Sequence, residues 1–135
     1  MPISKFILKK VRQQAVVKFV GDGSANVDLV ADLKLADETV TDVANTVRVN
    51  INSVIFTNSN STTPITIARN GNTVMQLFGN DNWSFNQMMG FVDNENNSAN
   101  IRVTLPATST LFLGLTKAGG FNEPNNQQLK DYQKI

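Results

Sequence analysis

The side chains able to carry chemistry are few, and their types narrow it at once. The 135-residue chain has no Cys and no His. A thiol nucleophile, a disulfide framework, a Cys/His zinc centre and a His-based triad are therefore all out of reach. Carboxylates remain: Asp22, Asp28, Asp32, Asp37, Glu38 and Asp42 cluster around a single Lys34. Oxygen ligands suit Ca²⁺, but the stretch from Asp22 does not match the ligand spacing or the central Gly of an EF-hand loop. Read as a strand, it holds Asp28 and Asp32 about 13 Å apart, too far to share one ion. These acids read as a solvated face, or as a complement to the basic N-terminus of a neighbouring copy. No cofactor and no metal is expected.

Other reaction classes fare no better. A glycosidase needs two carboxylates about 5–10 Å apart, one of them held protonated. Asp81, Asp93 and Glu95 flank the aromatic Trp83, yet all three sit in Asn/Gly turns, where acids cap the backbone. No G-x-S-x-G is present, and no His could serve as a base for it. Gly21-Asp22-Gly23-Ser24 lacks the spacing and the Lys of a phosphate-binding loop. The expectation is a protein without catalysis. Three N-x-[ST] matches begin at Asn60, Asn82 and Asn96; in a chain this rich in Asn, Ser and Thr they carry no meaning.

What remains is surface recognition. Residues 1–13, MPISKFILKKVRQ, carry Lys5, Lys9, Lys10 and Arg12 with no acid. Residues 118–135 begin at a glycine hinge and run polar to the end. Both read as extended arms, with Phe6, Ile7, Phe121, Tyr132 and Ile135 as anchors and Lys9, Lys10 and Arg12 as charged contacts. Ends of this composition are ordered when laid on something. Trp83, Phe85, Met88, Met89 and Phe91 form the one aromatic and Met-rich cluster. Trp83 and Phe85 read as closing one end of the core. Of the adjacent Met88 and Met89, one should lie at an interface, since neighbours on a strand face opposite sides.

The elements that would position these residues are strands. Val (14) and Thr (12) favour strands and the 18 Asn favour turns. Gln14–Val20 reads as a strand stopped by Gly21-Asp22-Gly23. Residues 26–35 alternate, with Val27, Leu29, Ala31, Leu33 and Leu35 on one side, which favours a strand over the competing helical spacing of Val27, Val30 and Leu33. Residues 46–57 alternate until Ser53, after which Val54-Ile55-Phe56 is apolar on both sides, so a bulge or a change of sheet is expected there. Two β-like runs flank Asn70-Gly71, the preferred pair for a type I′ hairpin. Residues 99–105 alternate again until Pro106, and 109–115 supply a last strand.

The fold expected is all-β: a β-sandwich or jelly roll of about eight short antiparallel strands with extended N- and C-terminal arms. The divisions are a basic N-terminal arm at 1–13, a β-sandwich domain at 14–117 and a C-terminal arm at 118–135. The longest apolar run near the start is Phe6-Ile7-Leu8, short of a signal peptide's apolar region, and nothing approaches a membrane span. A net charge of +1 gives no drive toward nucleic acid or an anionic membrane.

Taken as a whole, the chain resembles a small virion structural protein of a tailed bacteriophage. The likeness rests on a Cys-free, His-free, Asn/Thr/Val-rich β domain and on runs such as NSNSTTPITIARNGNTV and NIRVTLPATSTLFLGLTKAGG. It covers the entire chain without a diagnostic motif. It implies a capsid decoration (cement) protein, made in the host cytoplasm and carried in the virion. Its partners would be the major capsid protein or other virion proteins, as a homo-oligomer or lattice-bound subunit. A neck, tail or fibre-adaptor component is the near alternative. A carbohydrate-binding module built on Trp83, Phe85 and Asp81 is the alternative from another class.

Overall fold

The computed structural model describes residues 2–40, 47–85 and 97–122. In chain order the strands are β1 (Ser4–Lys10), β2 (Gln14–Val27), β3 (Thr39–Val40), β4 (Arg48–Asn58), β5 (Ile65–Arg69), β6 (Asn72–Leu77), β7 (Gly79–Ser84), β8 (Ile101–Gly119) and β9 (Phe121–Asn122). Seven of them form one antiparallel sheet that does not close, and β3 pairs with β9. The all-β reading stands, in a β-sandwich-like form.

Two long strands organise the sheet. β2 pairs with β8 along nearly its whole length, from Gln14 opposite Thr116 to Val27 opposite Ile101. The second half of β8 also pairs with β4, and its first half with β5. β1 and β7 are the two ends of the path β1-β2-β8-β4-β7. Between Gly21 and Gly23 the register shifts: Gly21 faces Ser109 while Gly23 faces Leu105. Pro106, Ala107 and Thr108 thus oppose Asp22 alone. The glycines take φ of +116° and +125°, and Thr108 takes +59°. The sequence reading ended a strand at each of these places. The structure instead bends two continuous strands there, Pro106 sitting in the bulge, where its missing N–H costs no ladder bond.

Because one residue of β2 lies against three of β8, both odd numbers, the side-chain alternation survives the bend. Ala15, Val17, Phe19 and Val27 of β2 and Ile101, Val103, Leu105, Leu111, Leu113 and Leu115 of β8 all stay buried. They meet Val49, Ile51, Val54 and Phe56 of β4, Ile65 and Ile67 of β5, and Met75 and Leu77 of β6 in a single core. In β4 a bulge between Ile51 and Ser53 switches the buried set from odd to even positions, and Ile55 turns outward. Asn70 and Gly71, with φ of +52° and +74°, close the β5–β6 hairpin as expected.

One expected strand is corrected. Residues 28–34 form a helical turn, not a strand. The Asp28 carboxylate accepts the N–H groups of Val30 and Ala31, both at 3.0 Å. Asp32 returns a carboxylate to the Asp28 N–H at 2.8 Å. That reciprocal capping drops Leu29 and Leu33, four apart, into the core. In the basic N-terminal segment, Ser4–Lys10 pairs with β2 as an edge strand. At the other end Lys117 is buried inside β8, and Phe121 pairs with Val40.

Candidate interaction surface

β1 is where the N-terminal contact residues come together. Among the described residues it pairs with β2 on one side only, from Ser4 opposite Val20 to Lys10 opposite Ala15, with a bulge at Leu8. Phe6 is 48% exposed, Ile7 37%, Leu8 54% and the following Val11 42%. Four neighbouring apolar side chains in water are unusual, since burying each would stabilise the fold by roughly 1.5–3 kcal/mol. They remain exposed because β1 lies beyond the rim of the core. Even Ile7, directly opposite the fully buried Val17, has no second layer over it among the described residues.

The charges on this segment divide into two sets. Lys5 donates to Asp32 at 2.6 Å and to the Asn26 carbonyl at 2.9 Å. Arg12 donates to Asp37 at 2.5 Å. The hydrogen bond from Arg12, with its charge, holds the Asp37 carboxyl below the ordinary aspartate range, against a smaller opposing push from desolvation. The acidic and basic segments therefore complement each other within one chain. Lys9 and Lys10 stay exposed.

Register also builds a row across the outer face of the sheet. Phe6 faces Lys18, Lys18 faces Phe112, Phe112 faces Ile55 and Ile55 faces Asn82. The Lys18 ammonium lies 5.5 Å from the Phe112 ring centroid, a cation–π contact. Ile55 is 46% exposed. Sequence reasoning singled out Phe6 but missed Lys18, Phe112 and Ile55, because only strand pairing aligns residues so far apart in the chain.

The remaining expected contacts fall elsewhere. Phe121 is half-buried beneath the Lys117 ammonium, 4.4 Å from its ring centroid, and packs against the core. Met88, Met89, Tyr132 and Ile135 lie outside the described residues, as do Asp42, Phe91, Asp93 and Glu95. Trp83 does not close the core. It stands on the opposite edge strand β7, 40% exposed, its ring edge-on to Phe56 at 5.5 Å. Its indole N–H donates to the Asp81 carboxylate at 3.1 Å. Phe85 is partly buried against the core.

The acidic segment does not gather into an ion site. Asp32, Asp37 and Glu38 each face a different cation, and among the described residues no three acidic side chains meet. A cleft of about 360 Å³ opens at the bend, lined by Val20, Gly21 and Asp22 against Ala107–Thr110. The left-handed Thr108 beside it is held by hydrogen bonds to the Ala107 carbonyl and the Ser59 hydroxyl. Comparison with protein-family models, curated proteins and solved structures finds no match to this chain.

Proposed function

We propose that this protein is a non-enzymatic structural subunit of a tailed-bacteriophage particle, a capsid decoration protein that binds and staples neighbouring shell subunits. The observation that supports this reading is β1, which presents Phe6, Ile7, Leu8, Lys9 and Lys10 together on the edge of a rigid sheet. Exposed apolar side chains interleaved with cations are the composition of a contact surface, and a folded frame presents them at little ordering cost. The major capsid protein or another virion protein is the partner. Quantitative mass spectrometry of purified particles tests the assignment. Hundreds of copies per particle support decoration of the shell. Small multiples of three, six or twelve move the chain to neck, tail or fibre, and absence overturns the virion reading.

One observation favours a second reading, a carbohydrate-binding module. Trp83 is 40% exposed and its indole N–H donates to the Asp81 carboxylate at 3.1 Å, an aromatic ring with a polar partner on the same side of β7. A glycan array with wild-type protein and Trp83→Ala tests it. Binding that disappears in the variant supports the module, and no binding by the wild type removes it.

A further inference from the structure

We propose that the open edge of β1 accepts an added strand: an extended, acidic and apolar segment of a partner protein that pairs with the backbone of residues 4–10. The proposal rests on the assembly reading above and names the contact through which it would act.

Three observations lead to it. First, among the described residues β1 is hydrogen-bonded to β2 alone, and alternate N–H and C=O groups along its other side have no strand beside them there. Second, the exposed apolar side chains lie on both faces of that strand. Phe6 points to the outer side with Lys18, Ile7 to the inner side with Val17. An incoming strand would therefore cover Phe6 and Ile7 from opposite faces, which a partner docked on one face of the sheet would not do. Third, the charge left over is positive. Lys5 and Arg12 are neutralised by Asp32 and Asp37, whereas Lys9 and Lys10 stand in solvent at the end of the strand.

The same residues argue against self-pairing. A second β1 laid on the first would add another Lys9 and Lys10 to the same edge with no acid to meet them, and like charges on facing strands repel. The β7 edge of another copy offers Asn80, Asn82 and Ser84, with Asp81 as its one acid, and Asp81 already holds the Trp83 indole. That strand has little to match four exposed apolar side chains. Lysines and a bulge are the devices that keep an edge from pairing indiscriminately. Here they reject copies of the chain and admit one that brings carboxylates.

Fluorescent twelve-residue peptides test the idea on the full-length protein, read by anisotropy and by hydrogen exchange at residues 4–10. One peptide alternates Glu with Val. A second carries Lys in place of Glu. A third is the acidic peptide with alternate amides N-methylated along one edge. The acidic peptide should bind and slow exchange at β1, the Lys peptide should bind at least tenfold more weakly, and N-methylation should abolish binding. The double variant Lys9→Glu, Lys10→Glu, altering only exposed side chains, should reverse the preference between the first two peptides.

Equal binding of the N-methylated peptide would overturn strand addition in favour of side-chain docking. So would unchanged exchange at β1 with every peptide. Protection of β1 by anionic phosphatidylserine vesicles but not by peptides would make the ligand a membrane, and a dimer with protected β1 amides would make it a second copy. A chain abundant in particles that ignores the peptides keeps the assembly reading and loses this one; a chain absent from particles that binds them does the reverse.

Discussion

The Lys117 ammonium and the Glu38 carboxylate lie 2.6 Å apart with both side chains fully buried. The two remaining ammonium protons go to the Val11 carbonyl at 3.1 Å and the Leu33 carbonyl at 2.9 Å. One side chain on β8 thereby ties the β1–β2 turn, the helical turn and the segment leading to β3 to the end of the sheet. Glu38 Oε1 also accepts the Leu35 N–H at 2.8 Å, while Oε2 is buried without a hydrogen bond among the described residues. A buried charge in such a site depends on its partner and is expensive once that partner is removed.

Removing one partner should therefore cost far more than removing both. Lys117→Met alone is expected to destabilise by about 3–5 kcal/mol, and Lys117→Met with Glu38→Leu to recover most of that loss. Urea denaturation of the two single variants and the double variant measures it. Additive losses would show that the pair is not coupled.

The bend makes different demands on its two glycines. Both have positive φ, but a Cβ on Gly21 would sit 2.5 Å from the Pro2 carbonyl oxygen and 2.9 Å from the Ile3 Cα, whereas one on Gly23 meets only the Ile3 side chain at 3.7 Å. Gly23→Ala should cost about 1 kcal/mol of backbone strain. Gly21→Ala should cost clearly more and release residues 2–3 from β2. Melting temperatures with amide exchange at Ile3 decide it, and equal losses would refute the collision.

Trp83 should be replaceable without loss of the fold. Its edge-on contact with Phe56 is of the kind worth about 0.5–1.5 kcal/mol beyond area, and it is too exposed for the larger penalty of a core aromatic. Trp83→Ala should keep the wild-type circular dichroism and lose on the order of 1–2 kcal/mol in denaturant. A loss of the size of a core truncation would contradict its position on the rim.

The Arg12–Asp37 contact should respond to acid. The Asp37 pKa is lowered in the folded chain, so its contribution to stability is present above the ordinary aspartate value and disappears as pH falls through the lowered one. In Arg12→Gln the Asp37 carboxyl should titrate closer to the ordinary 3.8. Carbon-detected NMR titration of both proteins reads the difference directly, and identical curves would remove the contact as its cause.

Local chemistry was legible wherever it depends on neighbours in the chain. Asn70-Gly71 announced its hairpin because both residues tolerate positive φ. The apolar run after Ser53 announced a bulge or a change of sheet, since alternation cannot otherwise bury Ile51 and Val54 on one side, and the pairing with β8 makes it a bulge. The same rule misled at Pro106 and at Gly21–Gly23. Proline and glycine there mark a bend inside strands, and only the opposing strand distinguishes a bend from an end. Residues 26–35 fit a period of two, yet Asp28 and Asp32 cap each other into a helical turn, a preference that side-chain oxygens impose over four residues.

The exposed surface was half legible. Phe6, Ile7, Lys9 and Lys10 stood out by composition alone, but composition could not tell an arm from an edge strand. Lys18, Phe112 and Ile55 carried no signal, being ordinary strand residues until antiparallel register set them in one row. Trp83 looked like core because aromatic residues usually are, and its place on an edge strand left too few neighbours to cover it. The sequence by itself determined the strand-forming chemistry, the turns and the exclusion of His- and Cys-dependent reactions, all set by residue type and short spacing. The tertiary structure decided which charges neutralise each other, which edge stays open and which side chains share a face, because those depend on pairings across the whole chain.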